Sequence, residues 1–275
     1  METTATLPRV VNKSTAESVA VEAFGVTVAV TADPQHFAAV SDFLPPRARP
    51  ARHPPEHGRF ALVKDTTDDG LLNVVCDEKP VAGPFDLRLA LGILDAELRM
   101  YIALHAPEHI FVHAGVVGVG DRAIVLPGRS FAGKTTLVAA LVKAGAEYWS
   151  DEYAVFDSDG LVHPYPKPLS VRIDDTRVTE ERPVESLGGR AGDRPLPVAL
   201  IAFTTYRPGV AFAPRPCTTG EGAIKLLEHS IAARSRPEQV LAAVRRAASE
   251  AVILEGDRGD AEEAASALLS RQPAN

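Results

Sequence analysis

The chain has 275 residues, a formal net charge of -7 and 45% hydrophobic residues, which suits one large globular domain or two small ones with an ordinary core. The acidic balance argues against a nucleic-acid partner, and no apolar run approaches the roughly 20 residues that cross a bilayer. The two cysteines, and the lack of a long apolar segment among the first residues, favour a cytoplasmic location without a signal peptide.

Residues 1–108 are predicted to form a β-rich region that also contains a helix, and substrate recognition is its candidate role. The alternating segment VEAFGVTVAVTA predicts one strand, and RFALVKD and LLNVVCD predict two more that a polar turn joins. Residues 45–58 are dense in proline and positive charge, which predicts an irregular surface loop. An apolar stripe with helical spacing predicts a helix from Phe85 to His105, with Asp86 as its N-cap.

Residues 109–275 are predicted to form the catalytic domain, with an α/β core. The segment HIFVHAGVVGVGDRAIVLPG predicts two strands joined by a short turn, and YAVFD, VALIAF and VAFAP predict three more strands that alternate with helices. The last helix is predicted in AEEAASALLSR. Residues 174–194 are polar, charged and glycine-containing, which indicates either an unstructured connector or a mobile loop beside the active site.

Residues 128–136, GRSFAGKTT, contain the phosphate-binding pattern G-x-x-x-x-G-K-[ST] of a P-loop without a gap. A buried strand is predicted before this loop and a helix after it, an arrangement that aims backbone N–H groups and a helix N-terminus at phosphates. Lys134 would then reach the terminal phosphates of ATP, and the Thr135 hydroxyl would bind Mg²⁺. The alternative, a glycine turn with a chance Lys-Thr pair, is disfavoured by the two flanking elements. The nucleotide-binding residues are therefore predicted to be Gly128, Arg129, Ser130, Phe131, Ala132, Gly133, Lys134, Thr135 and Thr136.

Asp151 and Glu152 are adjacent acids between the predicted P-loop helix and the strand YAVFD. A solvated pair is the ordinary interpretation of neighbouring carboxylates. Beside a P-loop, two acids can also divide the work, because one can take the proton of an attacking hydroxyl while the other holds a metal ion.

Three histidines, His105, His109 and His113, follow one another at intervals of four residues, a spacing that raises the question of a zinc site. The chain is predicted to change from helix to strand at Pro107, so His105 would not share a face with the other two. We therefore interpret His105 as a helix C-terminal residue that the helix dipole favours.

The segment FVHAGVVGVGDRAIVLPGRSFAGKTTLVAALVKAGAEYWSDEYAVFD resembles the catalytic core of the HPr kinase/phosphorylase family. The shared pattern is a His-Ala strand, a turn, a P-loop strand, a helix that ends in Lys-x-Gly-Ala, and then Ser-Asp followed by an acid. The similarity is close from Phe111 to Arg172 and looser from there to the C-terminus. It implies a fold that resembles phosphoenolpyruvate carboxykinase rather than the Ras-type or RecA-type NTPases.

The resemblance also implies roles for individual residues. Asp151 would be the general base for a substrate hydroxyl, and His113 would lie close to that acid and help to set its charge state. Lys134 would stabilise charge on the β- and γ-phosphates, while Thr135 and Glu152 would hold Mg²⁺. The chain departs from the family at Glu152, where the bifunctional enzymes have a second Asp. It also lacks the glutamate and glycines of the signature associated with phosphorolysis, in the segment PLSVRIDD.

The implied activity is an ATP-dependent kinase whose acceptor is a hydroxyl, in the first instance a serine, of a peptide or small protein. Related kinases occur beside genes for ribosomally made peptides, including lasso peptides, where they phosphorylate the precursor. The resemblance further suggests a homo-oligomer. Two alternatives stay open: a kinase of free serine or another small metabolite, and a nucleotide-binding regulatory protein without transfer activity. Intact Lys134 and Asp151 disfavour the regulatory alternative.

Overall fold

The computed structural model describes residues 16–129, 132–172 and 179–271. In that part of the chain the protein is mixed α/β, with three sheets and six α-helices. The chain divides into two compact units, of which the first ends at Pro107 and the second begins at Glu108. Among the described residues, no helix is both long and apolar enough to cross a bilayer.

The first unit is a six-stranded sheet in the order β3-β1-β2-β4-β5-β6, with two α-helices. Neighbouring strands are antiparallel except β2 and β4, which are parallel. Its elements are β1 (Glu17–Ala23), β2 (Val26–Ala32), α1 (Pro34–Val40), a 3₁₀ turn (Ser41–Phe43), β3 (Arg49–Pro50), β4 (Arg59–Lys64), β5 (Leu72–Cys76), β6 (Lys79–Phe85) and α2 (Leu87–His105).

The structure confirms the helix and the β4–β5 hairpin and corrects two predictions in this unit. Asp86 is the N-cap of α2, since its carboxylate accepts from Leu89 N at 2.9 Å. The single strand predicted in VEAFGVTVAVTA is wrong, because Phe24 and Gly25 have positive φ angles of 52° and 77° and turn the chain into a hairpin. The loop predicted over 45–58 contains strand β3, which lies at the edge of the sheet, where proline is tolerated.

The second unit is built around an eight-stranded sheet in the order β11-β10-β7-β8-β14-β16-β15, with β9 also beside β7. Helices α3 and α6 pack on one face of the sheet, and α4 and α5 pack on the other. The elements are β7 (Ile110–Val119), β8 (Arg122–Pro127), α3 (Lys134–Lys143), β9 (Glu147–Ser150), β10 (Tyr153–Phe156), β11 (Val162–His163), β12 (Leu169–Arg172), β13 (Thr179–Arg182), a 3₁₀ turn (Val184–Leu187), β14 (Val198–Tyr206), β15 (Arg215–Pro216), α4 (Thr219–Glu228), α5 (Pro237–Ala248), β16 (Val252–Arg258) and α6 (Ala261–Leu269).

The strand predicted in VAFAP is wrong, and only the next two residues, in β15, pair with β16. The segment instead approaches the chain closely at Gly256 in β16 and at Gly259, the residue after that strand. A Cβ atom on Gly256 would lie 2.8 Å from Pro214 Cα, and one on Gly259 would overlap the Val210 carbonyl. This close backbone approach, rather than strand pairing, fixes the segment.

The prediction for residues 174–194 is corrected for the part that the structure describes. Strand β13 pairs with β12 in a two-stranded antiparallel sheet, and a 3₁₀ turn follows it. An unstructured connector is therefore wrong for residues 179–187. Residues 174–178 lie outside the described residues.

Candidate functional site

Three neighbouring strands end at the same edge of the second unit's sheet. Strands β8, β14 and β16 are parallel, and their last residues are Pro127, Tyr206 and Arg258. In open α/β sheets, ligands bind outside the carboxyl ends of the strands. The predicted P-loop begins directly after β8, and it is therefore at the edge where a ligand site is expected.

The described part of the P-loop joins β8 to the first turn of α3. Gly133 is the N-cap of α3 with a φ of 81°, a left-handed conformation that glycine adopts without strain. Lys134 Nζ donates to the carbonyls of Gly128 and Arg129, each at 2.8 Å. Burial lowers the pKa of Lys134, while the carboxylates of Asp151 and Glu152 oppose that shift. Ser130 and Phe131 lie outside the described residues.

Asp151 projects from an interruption between two strands. Both β9 and β10 pair with β7, so Asp151 and Glu152 form a break in what is otherwise one line of pairing. Ser150 Oγ holds the break by accepting from the backbone N–H groups of Glu152 and Tyr153, at 3.0 and 2.9 Å. Such irregularities often re-aim a side chain at a functional site.

Asp151 is only 7% exposed, and its carboxylate has contacts on both oxygens. Oδ2 accepts from Thr135 Oγ1 at 3.0 Å and from Ser170 N at 3.2 Å. Oδ1 lies 3.0 Å from the Tyr148 hydroxyl, which also lies 2.6 Å from the Lys167 carbonyl oxygen. Burial raises the pKa of Asp151, and these hydrogen bonds oppose the rise. The structure thus brings together Thr135 and Asp151, which are 16 residues apart.

The remaining predicted residues surround this pair. Glu152 is half-buried, and its carbonyl accepts from Ala114 N at 3.0 Å. Thr136 is exposed on the first turn of α3. The His113 ring packs against Tyr153 at 5.0 Å between centroids. A role for His113 in setting the charge of Asp151 stays a prediction.

Sequence reasoning missed three groups near the P-loop. Tyr148 and Ser170 hold the Asp151 carboxylate, as described above. His229 is connected to the loop through the backbone, because His113 N donates to the His229 carbonyl at 2.9 Å and Gly128 N donates to the His113 carbonyl at 3.1 Å. Burial lowers the pKa of His229, and the cations of Lys134 and Arg129 add to the effect. Ser170 and His229 are distant in sequence from the groups they contact, and Tyr148, three residues before Asp151, belongs to no local pattern that identifies it.

The spaced histidines have separate surroundings. In the first unit, His105 Nδ1 lies 2.8 Å from the Tyr101 carbonyl, in the last turn of α2. In the second, the His109 ring meets the His163 ring edge-on at 4.8 Å, and His163 Nε2 lies 2.8 Å from Asp157 Oδ2. Within the ranges that the structure describes, no cluster of three or more His, Cys, Asp or Glu side chains could hold a metal ion.

The Mg²⁺ predicted at the P-loop does not require such a cluster. Mg²⁺ is usually bound by one or two protein ligands, and phosphate oxygens and waters complete its coordination. The hydroxyl of Thr135 and the carboxylate of Asp151 are hard oxygen donors held 3.0 Å apart. That donor set fits Mg²⁺. The carboxylate in contact with Thr135 belongs to Asp151, whereas the sequence predicted Glu152 as the acidic ligand.

Comparison with known proteins identifies no family for the chain. No protein-family model matches the chain, and no curated protein matches it significantly. The similarity to HPr kinase/phosphorylase therefore stays a prediction, which is based on the motif residues alone.

Proposed function

We propose that the second unit is a P-loop kinase with a core like that of phosphoenolpyruvate carboxykinase. It transfers the γ-phosphoryl group of ATP to a hydroxyl, in the first instance a serine, of a peptide or small protein. The observation that carries the proposal is the 3.0 Å hydrogen bond between Thr135 Oγ1 and Asp151 Oδ2. It joins the phosphate-binding motif to a buried carboxylate, which is the combination that a phosphoryl transfer to a hydroxyl requires.

The P-loop would bind the triphosphate. Backbone N–H groups at the start of α3 face the position of the phosphates, and the helix N-terminus favours their negative charge. Lys134 now donates to two carbonyls of its own loop. On nucleotide binding its ammonium group would exchange these carbonyls for β- and γ-phosphate oxygens, where a positive charge is stabilised more strongly. Charge stabilisation of this kind is the main catalytic term in phosphoryl transfer.

Asp151 would act as the general base. Its carboxylate takes the proton of the acceptor hydroxyl while that oxygen forms a bond to the γ-phosphorus and the bond to the β-phosphate oxygen breaks, releasing ADP. Thr135 and Glu152 would hold Mg²⁺, with Asp151 beside them, and the ion when bound neutralises charge on the phosphates. The donors from Tyr148 and Ser170 would keep the carboxylate oriented toward the acceptor.

The β12–β13 hairpin would border the acceptor side of the site. Ser170 in β12 donates its backbone N–H to Asp151 and its hydroxyl to Glu181 in β13, at 3.2 and 2.6 Å. The hairpin is therefore attached directly to the proposed base. This contact supports the interpretation of the segment as a loop beside the active site.

The proposal is tested by incubating the full chain with γ-labelled ATP and Mg²⁺ against peptides, small proteins and free serine. Wild type should phosphorylate a peptide or protein hydroxyl. Lys134→Ala should lose about 10²–10³-fold in transfer rate, the usual effect of removing one group that stabilises the transition state. Lys143→Ala is the matched control, because Lys143 lies exposed in the last turn of the same helix.

Three outcomes would contradict the proposal. Near-normal turnover of Lys134→Ala would overturn the P-loop assignment. Efficient transfer to free serine but to no peptide would favour a metabolite kinase. Tight ATP binding without transfer to any acceptor would favour the regulatory alternative.

A further inference from the structure

A buried arginine lies beneath the P-loop at the end of β16. Arg258 is 1% exposed. Its Nη2 donates to the Gly133 carbonyl at 2.7 Å, and its Nη1 lies 3.4 Å from the Gly259 carbonyl. The Nε group is buried and has no hydrogen-bond partner among the residues that the structure describes. Sequence analysis did not single out this residue, which is 125 positions from the glycine that it contacts.

The charge of Arg258 is not balanced within the described part of the chain. A guanidinium group stays protonated in proteins, so it cannot avoid the cost of burial by losing its proton. No carboxylate of the described residues forms an ion pair with it. Asp260, two residues on, attracts the charge of Arg258 without forming an ion pair with it, and its Oδ1 caps α6 by accepting from Glu262 N and Glu263 N, each at 2.8 Å. The Tyr206 ring, 5.5 Å away, gives a cation–π contact that offsets part of the cost only.

The position of Arg258 is specific to the P-loop. A Cβ atom on Gly133 would lie 2.5 Å from Arg258 Nη2, so the arginine and the left-handed glycine occupy adjoining space. The Gly133 carbonyl also accepts from Leu137 N, at 3.2 Å. Two donors thus hold this carbonyl pointing into α3, which leaves the N–H groups of the first turn directed outward.

We propose that Arg258 is a positioning residue for phosphate binding: it fixes Gly133 at the start of α3, and the phosphates of the nucleotide balance its buried charge. The inference rests on the proposed nucleotide binding but not on phosphoryl transfer. Burial of a cation without a carboxylate partner raises the free energy of the nucleotide-free protein. A bound phosphate lowers that free energy, because its negative charge attracts the cation. The site therefore gains affinity for phosphate.

The test uses the full chain, with Arg258→Met, Arg258→Lys and the exposed α5 residue Arg245→Met as the matched control. A non-hydrolysable ATP analogue with Mg²⁺ is titrated by calorimetry. Unfolding is followed by the fluorescence of Trp149, the single tryptophan. Arg258→Met should weaken the analogue at least about tenfold, as expected for loss of a buried charged partner. Arg258→Lys should recover most of the affinity, and Arg245→Met should bind like wild type.

The unfolding midpoint without nucleotide separates positioning from a structural role. Arg258→Met removes an unbalanced buried charge, so the free protein should be at least as stable as wild type. A fall in both stability and affinity that Arg258→Lys does not restore would make Arg258 a structural residue and overturn the inference. Unchanged affinity in Arg258→Met would also overturn it, while the proposed function stands. Failure of wild type to bind the analogue would instead refute the proposed function.

Discussion

Replacement of Asp151 by asparagine separates the chemistry of the site from its architecture. The carboxylate has two different sides: Oδ2 accepts from Thr135 Oγ1 and Ser170 N, and Oδ1 faces the Tyr148 hydroxyl. An asparagine oxygen can keep the first two bonds. Its amide N–H can donate to the Tyr148 oxygen, because that hydroxyl has the Lys167 carbonyl, 2.6 Å away, to receive its own hydrogen. The variant can retain these contacts, and it loses the negative charge and the ability to accept a proton.

The structure sets the expected size of the stability change. Three hydrogen bonds are preserved, although bonds to a neutral amide are weaker than bonds to a charge. The opposing gain is that a buried charge no longer has to be desolvated. We expect Asp151→Asn to change the free energy of unfolding by no more than about 1 kcal/mol. Asp151→Ala, in contrast, leaves the Thr135 hydroxyl and the Ser170 N–H without their acceptor, and it should cost roughly 2 kcal/mol or more.

The expected effect on catalysis is much larger. Loss of a general base lowers the transfer rate by roughly 10²–10⁴-fold, equivalent to about 3–5 kcal/mol of transition-state energy. The affinity for ATP should stay within a few-fold of wild type. Transfer is measured by mass spectrometry of the phosphorylated acceptor, nucleotide binding by calorimetry with a non-hydrolysable analogue, and stability by Trp149 fluorescence. Asp159→Asn, on an exposed turn, is the matched control and should behave as wild type.

Two results would refute this reasoning. Full transfer by Asp151→Asn would show that the residue is not the base, and the P-loop would remain as an argument for nucleotide binding only. A loss of transfer that follows a comparable loss of stability would show that Asp151 organises the fold around Thr135, Tyr148 and Ser170 rather than the chemistry.

Two further substitutions test the proposed metal site and the packing of Gly192 against Trp149. Glu152→Gln should raise the Mg²⁺ concentration needed for nucleotide binding by about tenfold; an unchanged requirement in a Mg²⁺ titration would move the metal-holding role to Asp151. Gly192→Ala would drive a methyl group into the Trp149 ring and should destabilise the protein by about 1–3 kcal/mol, seen as a drop of about 2–10 °C in the unfolding midpoint. Gly220→Ala, with open space around it in α4, should be neutral or slightly stabilising, and equal midpoints for the two variants would contradict the packing argument.

The elements that sequence predicted correctly are those with a local signal. Helix α2 has an apolar stripe along its whole length, with Leu91, Leu94, Leu98 and Ile102 all buried, and Asp86 marks its start. Strands β7 and β8 are continuous apolar runs on either side of a turn. In each case the residues that determine the element are neighbours in the chain, so periodicity and capping residues are sufficient.

The missed features depend on contacts between distant segments. Residues 210–214 have a strand-like composition, but Gly256 in β16 and Gly259 after it let the two backbones approach closely, and the segment does not pair as a strand. Strand β13 is rich in charged residues and forms because β12 offers it a partner. The contact of Asp151 with Ser170, 19 positions on, joins the eight-stranded sheet to the separate β12–β13 sheet, and the contact of Gly133 with Arg258 depends on the order of strands in the eight-stranded sheet.

The placement of Asp151 bears on the choice between a kinase and a nucleotide sensor. A carboxylate 3.0 Å from the Thr135 hydroxyl would repel the phosphates that Lys134 and Arg258 are proposed to attract. A protein that only senses nucleotide gains affinity by replacing that acid with a neutral residue, since nothing else in its function uses the charge. A kinase needs the acid, because the acceptor hydroxyl must lose its proton as it attacks and the metal needs oxygen donors. A buried carboxylate held by three donors at a phosphate-binding loop is therefore costly for binding and useful for transfer, which favours the kinase.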